Sequence, residues 1–474
     1  MFFDPFDNIV HEVGLLLGKP DDQMRLLLIL LGSYPIGYVF RFLRGRNLRH
    51  FYSIFLGVIL HLFMFRDGVV HFWGLGIVVY LILTVMKKKS LPWVVFIVCL
   101  THLSAMHLYR MLFDFGNWSL DATTFLMPLI SRLSSLGFVY SDGSKDEKDL
   151  TEEQMERRIV DKPSIVEMLS YISFPVAGMC GPFFEFRDFR DFMEEKGRYK
   201  HIPSSSSFVW KKMLEGVIVL ALAVKLPTIC DPYELESDWF FDMPYLHQYV
   251  YWMIACFAYR TTYFVAWVIN DGGLALSGLS YSGTTPQGQP KFDRIVSVNI
   301  IQLEACTVPR EGVRHWNSMT AEWLRHYVYE RVRPRNGGDA TMATMGTNLV
   351  SAFWHGFYPT YYNTFFFLAI IAEIGKDVYR LRHLFSFIPG PISAVIRNLL
   401  IMTSLNYFAT GMILLEFKKA MKYYAKYNFF WHLMILGTFV VFRFALLPTF
   451  KKRSKKDNGT KGEDKSEKAK LKKE

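Results

Sequence analysis

The chain has 474 residues, a net charge of +11, and a composition that is 51% hydrophobic and 16% aromatic. A soluble chain of this length usually divides into two or three domains joined by polar linkers. Here apolar runs recur along most of the length and basic residues gather in loops and a tail. That excludes an ordinary soluble multidomain protein and argues against a nucleic-acid reader.

The first 22 residues carry Asp4, Asp7, Glu12, Asp21 and Asp22 and lack a basic start. They predict an amphipathic interfacial segment rather than a cleaved secretory signal. Apolar segments follow at 24–43, 51–65, 69–86, 91–112, 122–140, 165–183, 209–229, 246–269, 345–372, 388–416 and 428–449. Several approach or exceed the ~18 residues that separate a membrane span from a core helix. The prediction is an all-α polytopic transmembrane bundle of about 9–11 spans or re-entrant segments. It forms one membrane domain over 1–450. The lysine-rich tail 451–474 is expected to be disordered and cytosolic. Lys470 and Lys472 stand fifth and third from the end, the spacing of a dilysine retrieval signal, which favours the endoplasmic reticulum membrane. The sequons at Asn117 and Asn458 are read as chance matches. Cys99, Cys180, Cys230, Cys256 and Cys306 are scattered without C-x-x-C or Cys/His spacing, so no disulfide framework and no metal site are predicted.

Arg44, Arg46 and Arg49 follow the first span, and Lys87–Lys89 follow the third, so both basic loops fit the cytosolic side. The charged loop 141–162 joins them, and the acidic stretch Asp231–Asp238 suits the lumen. Lys418, Lys419, Lys422 and Lys426 lie at one end of 428–449 and the lysine tail at the other. One of the two must break the positive-inside rule, or a segment does not cross. Segments 165–183, with Pro175 and Gly178, and 345–372, with Gly356 and Pro359, are candidates for re-entrance.

From Thr341 to Ala372 the chain has no Asp, Glu, Lys or Arg, yet His355 sits near the middle. An ionisable ring at membrane depth is costly without a partner or a task. On a helix Asn348, Ser351 and Tyr362 would share its face. Pro359, four residues on, would free the His355 carbonyl and kink the helix. This fits the wall of a wet chamber, or equally a histidine bonded between helices. Upstream, 314–335 predicts an amphipathic basic helix with Trp316, Trp323 and Tyr327 on one face and Arg314, Arg325, Arg331, Arg333 and Arg335 over the rest. Such arginines either snorkel at the interface or attract a phosphate-rich ligand, with Asn317 facing inward. Arg110 and Asp114, four apart, predict an ion pair. Glu185, Arg187 and Asp188 either brace a loop or touch a headgroup. Arg260 and Asp271 suit interfacial anchors.

His315-Trp316-Asn317 with Trp323-Leu324-Arg325, and then Ser351-Ala352-Phe353-Trp354-His355-Gly356, resemble the two signature blocks of the membrane-bound O-acyltransferase family. LMPLISRLSSLGFVYSDG (126–143), CGPFFEFRDF (180–189), YFVAWVINDGGLALSGLSYSG (263–283) and Val298-Asn299-Ile300 are similar to its lysophospholipid acyltransferase branch. The resemblance implies a bundle enclosing a catalytic chamber, with His355 and Asn317 as the catalytic pair. It implies a long acyl chain moving from acyl-CoA to the free hydroxyl of a lysophospholipid, the remodelling step of phospholipid metabolism. Acyl-CoA is then a co-substrate and no cofactor is expected. Around the pair, Trp316, Arg314, Arg325, Arg331, Ser351, Asn348, Tyr362 and Glu185 are the expected substrate-binding residues. Partners are acyl-CoA, the lysophospholipid and membrane lipids; no oligomeric state is assigned. Imidazole suits removal of a hydroxyl proton near neutral pH, and a carboxamide suits a developing oxyanion. No G-x-S-x-G elbow is present, which favours direct transfer over an acyl-enzyme. The alternatives are the same chemistry on a protein, peptide or other lipid alcohol, and a transporter or scramblase relaying protons through His355. An FYxDWWN-type block, expected for a sterol or diacylglycerol acceptor, is not found.

Overall fold

The computed structural model describes residues 4–116, 120–177, 181–333 and 340–450. Asn117, Gly178, Cys180, Arg335 and the lysine tail lie outside the described residues. The described chain is helical apart from a short antiparallel ladder pairing Gly283–Thr284 with Pro290–Lys291. Among the described residues, 7 helical stretches are long and apolar enough to cross a bilayer. The apolar runs of the sequence are more numerous for physical reasons. Runs 51–65 and 69–86 follow each other without a long loop, despite the break at Arg66, and count as one stretch; 165–183 and 345–372 break, and 209–229 is interrupted by Lys211, Lys212 and Glu215 near its start.

Helix α1 (Asp4–Leu17) turns Phe6, Ile9, Val13 and Leu16 outward on one face and buries Val10, as an interfacial helix does. Arg25 and Arg66 both bind its Asp7. α2 (Asp21–Phe40) leads through a basic loop to α3 (Arg46–Phe65). A break at Arg66, where φ is 50°, separates α3 from α4 (Val69–Val85). α5 (Leu91–Phe113) and α6 (Ala122–Asp142) follow, and α6 is enclosed along most of its length. α7 (Glu152–Arg157) and α8 (Ile165–Ile172) each begin with a capping box, Thr151 with Gln154 and Ser164 with Glu167. α8 has 8 residues, about 12 Å of helix, so 165–183 cannot cross as one helix. α9 (Phe186–Met193) and α10 (Ser206–Lys225) lead to α11 (Asp238–Asp242) and α12 (Tyr245–Ser277). α2 crosses α12 closely because Gly37 faces the α12 backbone. A Cβ there would lie 2.9 Å from the Gly273 carbonyl oxygen.

Short helices α13 (Ile300–Glu304), α14 (Pro309–His315), α15 (Ser318–Leu324) and α16 (Glu330–Val332) form the next block, with a π-helical turn over 325–329. α17 (Thr341–His355), α18 (Pro359–Arg380), α19 (Gly390–Leu414), α20 (Phe417–Lys426) and α21 (Phe430–Val440) complete the bundle.

Ion pairs settle which loops share a side. Arg44 and Arg49 pair with Glu195, and Arg46 with Glu167 and Glu194, placing the first basic loop beside α8 and α9. Lys419 lies 3.4 Å from Glu236 and Lys422 3.0 Å from Asp238. Lys419 and Lys422 therefore stand with the acidic loop, which neutralises them. The apolar stretch Phe430–Phe450 then leads away from that side.

Candidate active site

α17 ends at His355 because Gly356 takes φ 120° and ψ −159°, a backbone region that L side chains avoid. Pro359 then opens α18 at its first turn, where a missing N–H costs nothing. The expected single kinked helix is thus two helices. The step from His355 to Tyr362 leaves the first of them, so the polar stripe stops at His355. Asn348 donates to the Thr344 carbonyl at 3.0 Å, Ser351 is buried, and Tyr362 is half-buried on α18. The residues of α18 that meet the imidazole are Phe365, stacked at 4.9 Å, and Tyr361 at 5.6 Å. The His355 ring makes no hydrogen bond among the described residues and keeps both nitrogens for another partner.

Two neighbours anchor this helix end. Trp354 donates through Nε1 to the Met127 carbonyl of α6 at 2.9 Å. Its own carbonyl, orphaned by the helix end, accepts from His107 Nε2 of α5 at 3.1 Å. The His107 ring fills the space beside Gly356, 3.3 Å from where a Cβ would stand. Sequence reasoning passed over His107, although an ionisable ring inside the run 91–112 was the same kind of signal as His355.

The Asn317 block is also broken. The predicted helix 314–335 is divided by Asn317 itself, at φ 46° and ψ 54°. Asparagine is among the few residues that tolerate that left-handed conformation. The residue occupies the N-cap position of α15, but its side chain caps nothing. Because the chain turns here, Trp316 does not share a face with Trp323 and Tyr327. Trp316 packs on Trp267 at 4.8 Å and Tyr263 at 5.6 Å, both from α12. Trp323 bonds the Ser134 hydroxyl of α6 at 3.0 Å, and Tyr327 donates to Glu185 at 2.6 Å.

The two blocks meet through their tryptophans. Trp323 and Trp354 lie 6.2 Å apart. Tyr361 of α18 borders His355, and Tyr263 of α12 borders Trp316, the residue before Asn317, so each candidate adjoins a wall of aromatic rings. Such a wall, polar at its hydroxyls and otherwise apolar, suits a site that excludes bulk water.

Two of the expected phosphate-binding arginines are held by carboxylates instead. Arg331 forks onto Asp142 at 3.0 and 2.6 Å, and Arg325 bridges Glu330 at 2.8 Å and Glu153 at 3.0 Å. Glu185 accepts from Tyr327 and lies 3.3 Å from Arg157, so it braces the loop before α9. Burial pushes its carboxyl up to about 7, against the pull of Arg157. Glu153, His326 and Glu330 bring three potential ligand atoms within 4.8 Å, but Arg325 already holds both carboxylates through their other oxygens. Arg314 is exposed and makes no ion pair among the described residues. Arg110 pairs with Asp114 at 3.8 Å as expected, and with Asp121 at 3.2 Å. Arg260 and Asp271 are not interfacial anchors. Arg260 forks onto Glu304 at 2.8 Å and bonds Asn406, and Asp271 is fully buried.

Comparison with known proteins agrees with the two blocks. The family described as MBOAT, membrane-bound O-acyltransferase family, matches residues 108–414. Lysophospholipid acyltransferase 6 of Drosophila melanogaster is 27% identical over 94% of this chain, which spans 64% of that protein's length. Lysophospholipid acyltransferase of Schizosaccharomyces pombe is 28% identical over 93% of this chain and 89% of its own. Membrane-bound glycerophospholipid O-acyltransferase 2 of Homo sapiens is 28% identical over 86% of this chain and 81% of its own.

Proposed function

The chain belongs to the membrane-bound O-acyltransferase family, and on that premise we propose that it is a lysophospholipid acyltransferase using acyl-CoA as donor. His355 takes the proton from the acceptor's free glycerol hydroxyl. The hydroxyl oxygen attacks the thioester carbonyl carbon, and the Asn317 amide donates to the oxygen that gains charge. The C–S bond then breaks, the acyl ester is released, and the CoA sulfur receives the proton held on His355. No cofactor is required. The observation that supports this reading is the packing of the two signature blocks through Trp323 and Trp354, with an imidazole and a carboxamide that bond no other side chain among the described residues.

Arg314 and Arg333 are the described arginines of the block left to meet the CoA phosphates. Trp316, Ser351, Asn348 and Tyr362 are the remaining side chains proposed to contact substrate, while Arg325, Arg331 and Glu185 act through their ion pairs. Residence in the endoplasmic reticulum membrane is part of the same proposal. The test is thiol release by the purified protein, across a panel of acyl-CoAs and lysophospholipids, beside His355→Ala. The expected result is acceptor-dependent CoA release that the variant lacks. Release that requires a peptide acceptor, or full turnover by His355→Ala, overturns the proposal.

A further inference from the structure

We infer that Asp271 is a positioning residue for Asn317, acting through Ser297; this rests on the role proposed for Asn317. Asp271 lies in the last two turns of α12 and is 0% exposed. A carboxylate in that setting is costly unless its oxygens are bonded. Its oxygens accept the Ser297 backbone N–H at 3.0 and 3.2 Å, and Oδ1 also accepts the Ser297 hydroxyl at 2.8 Å. Lys212 of α10 stands 3.8 Å away and also pairs with Glu215 at 3.0 Å. Glu215 of α10 and the Tyr34 phenol of α2 are the other charged or titratable neighbours of Asp271 among the described residues.

Ser297 passes this restraint on. Its carbonyl accepts the N–H of Ser318 at 2.8 Å, the residue directly after Asn317. On the other flank, the Asn299 N–H donates to the His315 carbonyl at 3.3 Å. The segment 297–299 thus holds the turn at both ends, and Val298 between them is fully buried. Asn317 needs such a clamp. A left-handed non-glycine residue persists only where its surroundings over-determine it, and its carboxamide has no capping bond to orient it. Asp271 fixes one end of the clamp to a long membrane helix, so the carboxamide keeps its direction relative to α12.

The experiment measures kcat and KM for acyl-CoA-dependent thiol release in Asp271→Asn, Ser297→Ala and Asn317→Ala, and in the double variant Asp271→Asn/Asn317→Ala. Asp271→Asn keeps one acceptor but turns an amide N–H towards a donor. The expected loss is about 10- to 100-fold in kcat with KM within about twofold, since sub-ångström misplacement of a catalytic group acts on the chemical step. Ser297→Ala, which keeps the backbone bonds, shows a smaller loss of the same kind and serves if Asp271→Asn fails to fold. In the Asn317→Ala background the Asp271 change has no further effect. Multiplied losses in the double variant, a change confined to KM, or unchanged kcat in both single variants overturns the inference. If Asn317→Ala falls below detection, the kcat and KM split of the single variants decides. Wild-type turnover by Asn317→Ala removes the reading beneath it instead, so the two failures are distinguishable.

Discussion

Gly356→Ala tests whether the end of α17 is built to aim His355. At φ 120° and ψ −159° an alanine is strained by about 1–3 kcal/mol. Its Cβ would also stand 3.3 Å from Cγ and Nδ1 of His107. That ring cannot simply swing aside, because its Nε2 holds the Trp354 carbonyl at 3.1 Å. Relief must come from backbone rotation between His355 and Pro359, which turns the imidazole away from its place. If the whole strain is relieved by misplacing the ring, the rate falls by about 5- to 150-fold at about 1.4 kcal/mol per decade. The internal control is Gly346→Ala on the same helix. A Cβ there meets nothing within 4 Å, so it is neutral or stabilising by up to ~1 kcal/mol. Both proteins are purified in detergent and compared by thiol release and melting temperature. Wild-type kcat and an unshifted melting temperature in Gly356→Ala would refute the reasoning, as would equal damage from Gly346→Ala.

Other substitutions separate aim from stability. His107→Phe keeps the bulk beside Gly356 but orphans the Trp354 carbonyl; kcat falls at least tenfold, and His107→Gln, which restores an N–H donor, recovers part of it. Arg331→Ala leaves the buried Asp142 carboxylate with Lys145 at 2.7 Å as its remaining cation. The loss lies near or below the low end of the ~3–5 kcal/mol expected for breaking a buried pair, whereas the exposed Arg325→Ala costs under ~1 kcal/mol; thermal unfolding in detergent ranks them. For Glu185 the folded pKa is raised from 4.5 to about 7. The folded state therefore binds the proton more tightly, and its contribution to stability is fully present below pH 4.5 and lost as pH rises through 7. Glu185→Gln flattens that part of the pH–stability curve, and an unchanged slope would show that another group titrates there.

The membrane class was legible because it depends on composition, and the two signature blocks because they resemble those of a known family. Helix ends were less so. Gly356 and Pro359 were visible as breakers, but only the φ of Gly356 turns a kink into two helices. Likewise nothing local in His-Trp-Asn announces that Asn317 is left-handed. The ionic partners were illegible for a different reason. Arg331 and Asp142 lie 189 positions apart, and Arg325 and Glu153 lie 172 apart. Arg325 and Arg331 looked uncompensated because Glu153 and Asp142 are remote from them in sequence. The surroundings of 418–426 were open for the same reason, until Lys419 and Lys422 met Glu236 and Asp238.

The two proposed reactive side chains share one structural device. Each stands where a helix stops, at or next to a residue with positive φ: Asn317 at 46°, and Gly356 at 120° beside His355. In the middle of either helix these side chains would be packed against a neighbour and would hydrogen-bond to it. At a helix end the chain turns away, and a carboxamide and an imidazole stay without a hydrogen-bond partner among the described residues. Such ends fray unless tertiary contacts hold them. Here Trp354 and Trp323 reach α6, the most enclosed helix, while His107 comes from α5 and the Ser297 clamp from the loop after α12. The order of a site made from two chain breaks is thus set by helices that carry none of its chemistry. Substitutions on the faces of α5, α6 and α12 that touch the breaks should therefore reduce turnover without touching substrate, whereas lipid-facing changes on the same helices should not.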